Sequence, residues 1–442
     1  DQHGQKMQQT ADREEVNVAT LAQRNTRKFL ALWDKLDVDY DGWAATTDER
    51  HKACVQKILT TLHEEGQLYK KAYRGFYSVR QEQYLTEKDR NEDGKFGPEW
   101  GEVIELEEEN WYFRLSQHAE WLRKVVDSGE LGILPGFRRT EVLNAIERAG
   151  ETDLCISRPK ERLHWGIEIP FDPGFVTYVW FDALINYVSF AGYRSGPDGN
   201  DLPVFETLWP ANAHVIGKDI LVPAHSIYWP CMLRAMGFGN EEMPTLLVHG
   251  WWNIQGDKMS KSQGTVIDPS LLADEFGVDA VRYYLVRDIV TGKDSNFDLK
   301  RLITLFNSEL ANDLGNLLNR SLNMTKRFVG GELAAVQYDD DALTAVRESL
   351  ATTTADFVAA MDEHDIAGAL KILNGHVVHC NQFIEKNPPF ELRKDESQAN
   401  RVAAILAHLC ESCTHLAVLL SPVLPGASAK ILAQLRAGDL VP

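Results

Sequence analysis

The sequence LLVHGWWNIQGDKMSKSQG, residues 246–264, joins an apolar run to a short loop with two lysines. Residues 246–248 are typical of a buried strand, and Asp268 followed by Pro269 is typical of a helix start. The predicted order is therefore strand, basic loop, helix. A lysine ammonium on its flexible stem can follow charge that builds on phosphate oxygens, so the loop is a candidate polyphosphate site. An exposed lysine loop without function is the alternative.

Length and composition predict a soluble, globular chain of several domains. The chain has 442 residues, of which 44% are hydrophobic, and we see no apolar run long enough to cross a bilayer. The net charge of -19 disfavours a surface that coats DNA or other nucleic acid but allows one local basic patch. Six cysteines occur, and we expect them to be reduced. Cys410 and Cys413 share a helical pattern that favours core packing over a metal or redox site.

Hydrophobic periodicity divides the chain into an α/β part and a helical part. The apolar runs 178–181, 213–216 and 246–248 predict strands that are buried on both faces of a parallel sheet. From 308 onward apolar residues recur three and four apart, which predicts a helix bundle. Ligands of such sheets bind at the carboxyl ends of strands, where the sequence has Trp180, Asp182, Gly217, Lys218, Asp219 and Gly250.

The first helix of the bundle presents an unusual polar face. A helix over 308–323 would bury five leucines and expose Asn312, Asn316, Asn319, Arg320 and Asn323. Asparagine competes with the helix backbone for hydrogen bonds, whereas amide and guanidinium groups can read unstacked bases. An ordinary polar or helix-packing face remains the alternative. Phe390, after Pro388 and Pro389, either stacks on a base or caps the bundle core.

Four motifs carry a resemblance that covers essentially the whole chain: DQHGQK at 1–6, VWFDALINY at 179–187, HVIGKDI at 214–220 with His225 and Trp229, and KMSKS at 258–262. Together they resemble the methionyl-tRNA synthetase family of class I aminoacyl-tRNA synthetases. The resemblance implies a Rossmann-like parallel sheet, incomplete at its amino terminus, with an inserted connective domain, followed by an all-α anticodon-binding bundle. The implied domains are 1–72 and 163–250 for the two catalytic halves, 73–162 for the insertion, 251–307 for the KMSKS loop and stem-contact region, and 308–442 for the bundle.

The same resemblance implies a methionine–tRNA ligase. Such an enzyme activates L-methionine with ATP and transfers it to tRNA(Met) for protein biosynthesis and its initiation, with Mg2+ accompanying the ATP. Cys54 and Cys155 are far apart, which departs from the zinc-bearing connective domains of the family, so we expect no zinc. We expect a cytoplasmic enzyme, with an organelle as the open alternative, and neither a membrane nor DNA as a partner.

Site residues follow from the resemblance position by position. Lys258 and Lys261 are the expected catalytic residues, and Arg158 matches a further active-site position. The expected ATP-binding residues are Gly217, Asp219, His249, Gly250, Trp252, Lys258 and Lys261. The expected methionine-binding residues are Asp1, which would pair with the α-ammonium group, and Trp180, Ala183, Leu184, Tyr187, His225 and Trp229, which suit a thioether. For any single tryptophan, core packing is the alternative. The expected anticodon-binding residues are Asn316, Arg320 and Phe390.

One departure from the family matters for activity. Class I enzymes carry a His-x-Gly-His signature near the amino terminus, and no such string occurs in this sequence. We expect that signature to belong upstream of Asp1, and we expect the present chain alone to activate methionine weakly or not at all. Two other readings stay open at this point: a noncatalytic tRNA-binding relative, and a synthetase for another apolar amino acid, because a hydrophobic pocket discriminates by only about 1–3 kcal/mol per methylene.

Overall fold

The computed structural model describes residues 1–78, 83–85, 87–91, 93–149, 152–254, 257–258, 267–333 and 338–437. The chain divides into two compact units. The first comprises Asp1–Leu30 and Tyr40–Val248, and the second comprises Ala31–Asp39 and His249–Pro442.

The first unit mixes helices with short strands around one large apolar core. Its helices are α1 Gln5–Arg13, α2 Val18–Lys35, α3 Glu49–Glu64, α4 Ala119–Ser128, α5 Arg138–Ala149, α6 Val179–Ser189, α7 Phe205–Leu208 and α8 Trp229–Ala235. The last residues of α2 belong to the second unit. Its strands are β1 Leu68–Ser78, β2 Gln83–Leu85, β3 Val103–Phe113, β4 Ile133–Leu134, β5 Leu154–Cys155, β6 Ser157–Pro159, β7 Phe175–Thr177, β8 Ala213–Gly217 and β9 Thr245–His249.

The predicted insertion is built on an antiparallel sheet in the order β2-β1-β3-β5. β1 and β3 pair over their full lengths, from Leu68 opposite Phe113 to Ser78 opposite Val103. The acidic run of β3 is compatible with a strand because the partner strand is basic: Lys70 pairs with Glu109 at 3.1 Å and Arg74 with Glu105 at 3.1 Å. β1 begins at Leu68 and runs through the expected domain boundary at residue 73, so the division into domains stays a prediction.

The parallel sheet has the order β4-β9-β8, and β4 pairs with β9 in parallel register. The strands expected at 213–216 and 246–248 are confirmed. The expectation that both faces are buried is wrong: residues alternate along β8, so that His214 and Ile216 are buried whereas Val215 is 68% exposed.

The strand expected at 178–181 is also wrong. β7 ends at Thr177, and helix α6 begins at Val179. A run of four apolar residues fits a buried helix as well as a buried strand, and Phe181, fully buried, packs into the core from the helix.

The second unit is mostly helical. Its helices are α9 Pro269–Phe276, α10 Val278–Arg287, α11 Leu299–Leu305, the π-helical stretch Phe306–Gly315, α12 Asn316–Val329, α13 Asp341–Asp362, α14 Ile366–Lys386, α15 Pro389–Leu392, α16 Ala399–Leu420 and α17 Pro425–Leu435. A small sheet in the order β11-β10-β12 contains β10 Trp252–Ile254, β11 Asp257–Lys258 and β12 Ser295–Asn296.

The predicted helix start after the basic loop is confirmed. Asp268 is the N-cap of α9, where its carboxylate accepts a hydrogen bond from the Ser270 N–H at 2.8 Å, and Pro269 is the first helical residue. The backbone of Lys258 pairs with Asn253 in the β10–β11 hairpin. Residues 259–266, which include Lys261, lie outside the described residues, as does the side chain of Lys258.

The bundle predicted from 308 onward is confirmed, but one expectation about its helices needs correction. The segment Glu396–Leu420 is long and apolar enough to cross a membrane by length and composition, whereas we expected no run of that kind. Tertiary packing explains its apolar character, because most of this helix is buried inside the bundle. Cys410 and Cys413 are buried there too, and all six cysteines of the chain are buried free thiols.

Candidate active site

Helix α6 brings four of the expected methionine-binding residues onto one face. Trp180, Ala183, Leu184 and Tyr187 are spaced i, i+3, i+4 and i+7, which places them one above another along an α-helix. Ala183 and Leu184 are buried, while Trp180 and Tyr187 are half-buried. The middle of this face is therefore apolar and buried, and an aromatic ring that is partly exposed to solvent lies on either side of it.

His225 faces Tyr187 from the π-helical turn Leu221–Tyr228, which follows β8. The Tyr187 hydroxyl lies 2.8 Å from His225 Nε2, and His225 Nδ1 lies 2.9 Å from the carbonyl oxygen of Ile220. A carbonyl only accepts, so Nδ1 carries the proton. Burial lowers the pKa of His225 and raises the pKa of Tyr187 to about 12. The imidazole is thus neutral, and its Nε2 accepts a hydrogen bond from the tyrosine hydroxyl.

A second neutral histidine supports Tyr187 from the other side. The ring of His214, on β8, stacks on Tyr187 with centroids 3.9 Å apart and planes 16° apart. Trp229 donates its indole N–H to His214 Nε2 at 3.1 Å. Burial lowers the pKa of His214 to about 4, so this ring is also uncharged at neutral pH. Trp229 itself is fully buried and packs against Trp209, which makes it the base of the cluster.

The turn after β8 holds two of the expected ATP-binding residues. Gly217 is the last residue of the strand, and Asp219 lies in the following turn with an exposed side chain. The chain then enters the π-helical turn that carries His225. The carboxyl end of β8 and the ring cluster are therefore adjacent in the chain, and α/β sheets bind ligands at the carboxyl ends of their strands.

Asp1 is exposed and is oriented by its neighbour. Its carboxylate accepts a hydrogen bond from the backbone N–H of His3 at 3.2 Å. The His3 imidazole in turn lies 3.0 Å from the carboxylate of Asp182, a fully buried residue of α6. The segment that begins with Asp1 is therefore fastened to the helix that carries the pocket face.

Arg158 lies in the interior rather than on a surface. It is 3% exposed, and its guanidinium group lies 5.4 Å from the ring centre of Tyr77 and 4.6 Å from that of Tyr178. It also donates to the carbonyl oxygen of Ser157 at 2.7 Å. Tyr178 immediately precedes α6, so the contact with Arg158 stabilises the start of this helix.

The other expected ATP-binding residues belong to the second unit. His249 ends β9 and is exposed. Gly250 has a structural reason to be glycine, because an added Cβ would lie 2.3 Å from the carbonyl carbon of Lys293. Trp252 packs against Tyr284 with ring centres 5.4 Å apart, in a small core of its own.

The bundle carries the expected anticodon-binding residues on its surface. Asn316 is exposed at the start of α12, and Phe390 is 53% exposed, so it does not cap the bundle core. Arg320 lies 3.9 Å from Glu385, which is on the last turn of α14 and five residues before Phe390. The asparagine-bearing face and the exposed ring are thus brought to the same end of α14.

The relatives of this chain show its family. The family model for class I tRNA synthetases (M) matches residues 1–93 and 100–322. The chain belongs to this family. The methionine–tRNA ligase of Fusobacterium nucleatum is 37% identical over 439 residues, 98% of this chain and 67% of its own length. That of Caldanaerobacter subterraneus is 38% identical over 440 residues, 98% of this chain and 66% of its own length.

Solved structures agree with the assignment to the methionyl-tRNA synthetase family. The Mycobacterium tuberculosis methionyl-tRNA synthetase bound by methionyl-adenylate matches with a TM-score of 0.90 at 33% identity, and the alignment covers 98% of this chain and 84% of that one. Its apo form matches with a TM-score of 0.83 at 32% identity, over 94% of this chain and 81% of that one. The chain spans about two thirds of the length of the curated relatives it matches.

The sequence did not reveal the roles of three residues of this site. His214 belongs to one of the family motifs but was not expected to support Tyr187, and His3 was not expected to bind Asp182. Asp182 was expected at the ligand-binding end of a strand, whereas it lies fully buried in helix α6. For His214 a signal existed, because alternation along β8 places it on the buried face with Ile216. For the pair of His3 and Asp182 no local signal exists, since 179 positions separate them.

Proposed function

We propose that this chain, as a member of the methionyl-tRNA synthetase family, catalyses the ATP-dependent activation of L-methionine and its transfer to tRNA(Met). The observation that carries the proposal is the face of α6, where Trp180 and Tyr187 stand beside the neutral imidazole of His225. A thioether is apolar and polarizable, and sulfur packs well against aromatic rings. A ring cluster without charge at neutral pH suits such a side chain.

The first step joins methionine to AMP. A carboxylate oxygen of methionine attacks the α-phosphorus of ATP, a phosphorus–oxygen bond forms, and the bond to the bridging oxygen breaks so that pyrophosphate leaves. Asp1 would pair with the α-ammonium group, and the side chains of Trp180, Ala183, Leu184, Tyr187, His225 and Trp229 would enclose or support the thioether. Arg158 would contribute indirectly, because its contact with Tyr178 holds the start of α6 in place.

Three kinds of group would bind the nucleotide: the backbone at glycines, the exposed carboxylate of Asp219, and the lysines of the basic loop. We assign ATP contacts to Gly217, Asp219, His249, Gly250 and Trp252, and transition-state stabilisation to Lys258 and Lys261. This step gains chiefly from positioning and from cations near the developing charge. Mg2+ enters with ATP as part of the substrate, held mainly by phosphate oxygens.

The second step transfers the methionyl group. A terminal ribose hydroxyl of tRNA attacks the carbonyl carbon of the adenylate, an ester forms, and AMP leaves. Asn316 and Arg320 would read anticodon bases on their edges, and Phe390 would stack on one of them. The exposure of Phe390 supports this role, because a ring that is 53% exposed in the free protein has a face to offer.

Amino-acid-dependent exchange of pyrophosphate into ATP tests the proposal, with the protein at its natural length. Exchange with methionine, and little with leucine, isoleucine, valine or cysteine, is the expected result. Exchange that prefers another of these amino acids would assign a different specificity. Absence of exchange with all of them, together with tight tRNA binding, would favour a noncatalytic tRNA-binding protein.

The bacterial relatives support the cytoplasm as the site of action.

A further inference from the structure

A buried carboxylate connects the pocket helix to the segment that carries Asp1. Asp182 is fully buried, and His3 is 7% exposed. One carboxylate oxygen, Oδ2, lies 3.0 Å from His3 Nδ1 and accepts a hydrogen bond from the Thr177 hydroxyl at 3.2 Å. The other oxygen, Oδ1, is buried and has no hydrogen-bond partner among the residues that the structure describes.

This arrangement makes His3 important for Asp182. A buried carboxylate is stable only when it is paired and hydrogen-bonded, and here the described hydrogen bonds all fall on one oxygen. Loss of the imidazole would leave Asp182 with the Thr177 hydroxyl alone, and the neighbouring backbone would move to bring in water or another donor.

His3 is equally important for Asp1. The backbone N–H of His3 donates to the Asp1 carboxylate, so the position of His3 sets the direction of that side chain. The segment is held on either side of His3 as well. The Gln2 N–H donates to Thr46 Oγ1 at 2.9 Å, and the Trp165 indole N–H donates to the Gln2 carbonyl oxygen at 2.6 Å. The His3 ring packs edge-on against Trp165 with centres 5.5 Å apart.

We propose that His3, held by Asp182, is a positioning residue that aims the Asp1 carboxylate at the α-ammonium group of methionine. The proposal rests on the proposed function, because it takes the amino acid bound beside α6 to be methionine. It separates two tasks within one site. The rings around Tyr187 select the side chain, whereas the chain of contacts from Asp182 through His3 to Asp1 selects a substrate that carries a free amino group.

Two ligands separate these tasks: L-methionine, and 4-(methylsulfanyl)butanoate, which has the same thioether and carboxylate but no ammonium group. We expect His3→Ala to weaken L-methionine binding about tenfold, the loss of one well-placed charge-assisted contact, and to leave the amine-free compound unchanged. His3→Asn should restore most of the affinity, because the asparagine amide can occupy the place of Nδ1–H. Asp182→Asn keeps the shape, loses the charge that holds the imidazole, and should fall between the two.

Controls make the result specific. Asp1→Asn should show the same selective loss as His3→Ala, and the double variant should lose little more than either single variant, since both act through one contact. His118→Ala, which removes a partly buried histidine of the same unit that hydrogen-bonds Gln67 at 3.3 Å, should alter neither affinity. Calorimetric titration gives the affinities, and thermal unfolding identifies any variant that does not fold.

Several outcomes would overturn the inference. Equal weakening of both ligands by His3→Ala would mean that the pocket has loosened as a whole. An unchanged affinity for L-methionine would mean that Asp1 is aimed without His3. Should His3→Ala fail to fold, His3→Asn and Asp182→Asn still decide, because a lack of any selective loss in Asp182→Asn contradicts the pairing. If the unsubstituted protein binds both ligands equally, Asp1 does not recognise the ammonium group and this inference fails, whereas the lack of binding of either ligand would count against the proposed function itself.

Discussion

The rings around Tyr187 and the ring of Phe390 occupy opposite environments. Tyr187 stacks on His214, bonds to His225 and contacts Trp229, so each of its groups is engaged by the protein. Phe390 is 53% exposed on the short helix α15, after two prolines that fix the direction of the chain. The Tyr187 ring is packed within a cluster of other rings, whereas the backbone around α15 leaves the Phe390 ring exposed to solvent.

This contrast indicates how the two candidate sites respond to substitution. In the α6 cluster a substitution that affects binding also affects folding, because the same contacts serve both. On the bundle surface Asn316 and Phe390 contribute little to the core, so their substitution should change recognition alone. At buried positions a substitution therefore changes function and stability together, whereas at exposed positions it can change function without changing stability.

The largest expected effect lies in neither region but in the basic loop. Lys261→Ala should lower the rate of adenylate formation by about 10²–10³-fold, the usual loss when one stabilising donor of a transition state is removed. Methionine affinity should stay nearly intact, because this lysine is assigned to the phosphates. Pyrophosphate exchange and methionine titration on the same preparation measure both. A large loss of methionine affinity at a normal rate would contradict the assignment.

Tyr187→Phe tests the coupling inside the cluster. The substitution removes the hydroxyl that His225 Nε2 accepts from and leaves a buried acceptor unpaired, which costs about 1–3 kcal/mol of unfolding free energy. Methionine affinity should fall together with stability, since the imidazole then loses its fixed orientation. Denaturant unfolding and methionine titration give the two quantities. If only one of them changed, burial would not couple function to stability in this cluster.

Arg320→Ala tests the separation on the bundle surface. We expect about tenfold weaker aminoacylation of tRNA, roughly the value of one hydrogen bond from a charged group, with adenylate formation unchanged. The pair with Glu385 is long, and the Glu385 side chain is exposed, so loss of the pair should affect folding little. Arg327→Ala on the same helix is the matched control, because Arg327 is exposed and charged but lies two turns further along α12. Equal damage to both reactions would indicate misfolding.

The last prediction is a pH dependence that the two regions should share. Burial lowers the pKa of His214, in the cluster, and of His376, in the bundle, to about 4. Between about pH 6.5 and 4 the unfolded chain binds protons that these folded rings do not. Stability should therefore be full above about pH 6.5 and fall as the pH decreases, by at most about 1.4 kcal/mol per pH unit for each histidine. Hydrogen exchange of the two regions at pH 7, 6 and 5 measures this, and protection that stays constant would contradict it.

Much of the second unit could be predicted from sequence because its signals are local. The asparagine face of α12 and the start of α9 at Asp268 and Pro269 follow from spacing within a few turns. Of the five leucines expected to be buried opposite the asparagines, Leu314 and Leu317 are buried, whereas the other three are half-buried because they lie at the edge of the packed face. The strands at β8 and β9 were predicted for the same reason. The strand expected at residues 178–181 failed because a short apolar run carries no period of its own, and only the surrounding core decides between strand and helix.

By itself, the sequence determined the family, the order of sheet and bundle, and the residue types available for a thioether and for bases. The tertiary structure alone decided which of those residues meet. It set Trp180, Ala183, Leu184 and Tyr187 on one helix face, brought His214 beneath Tyr187, and joined His3 to Asp182. The physical reason is range: propensity and capping act within a few residues, whereas burial of a ring or a carboxylate depends on elements far apart in the chain.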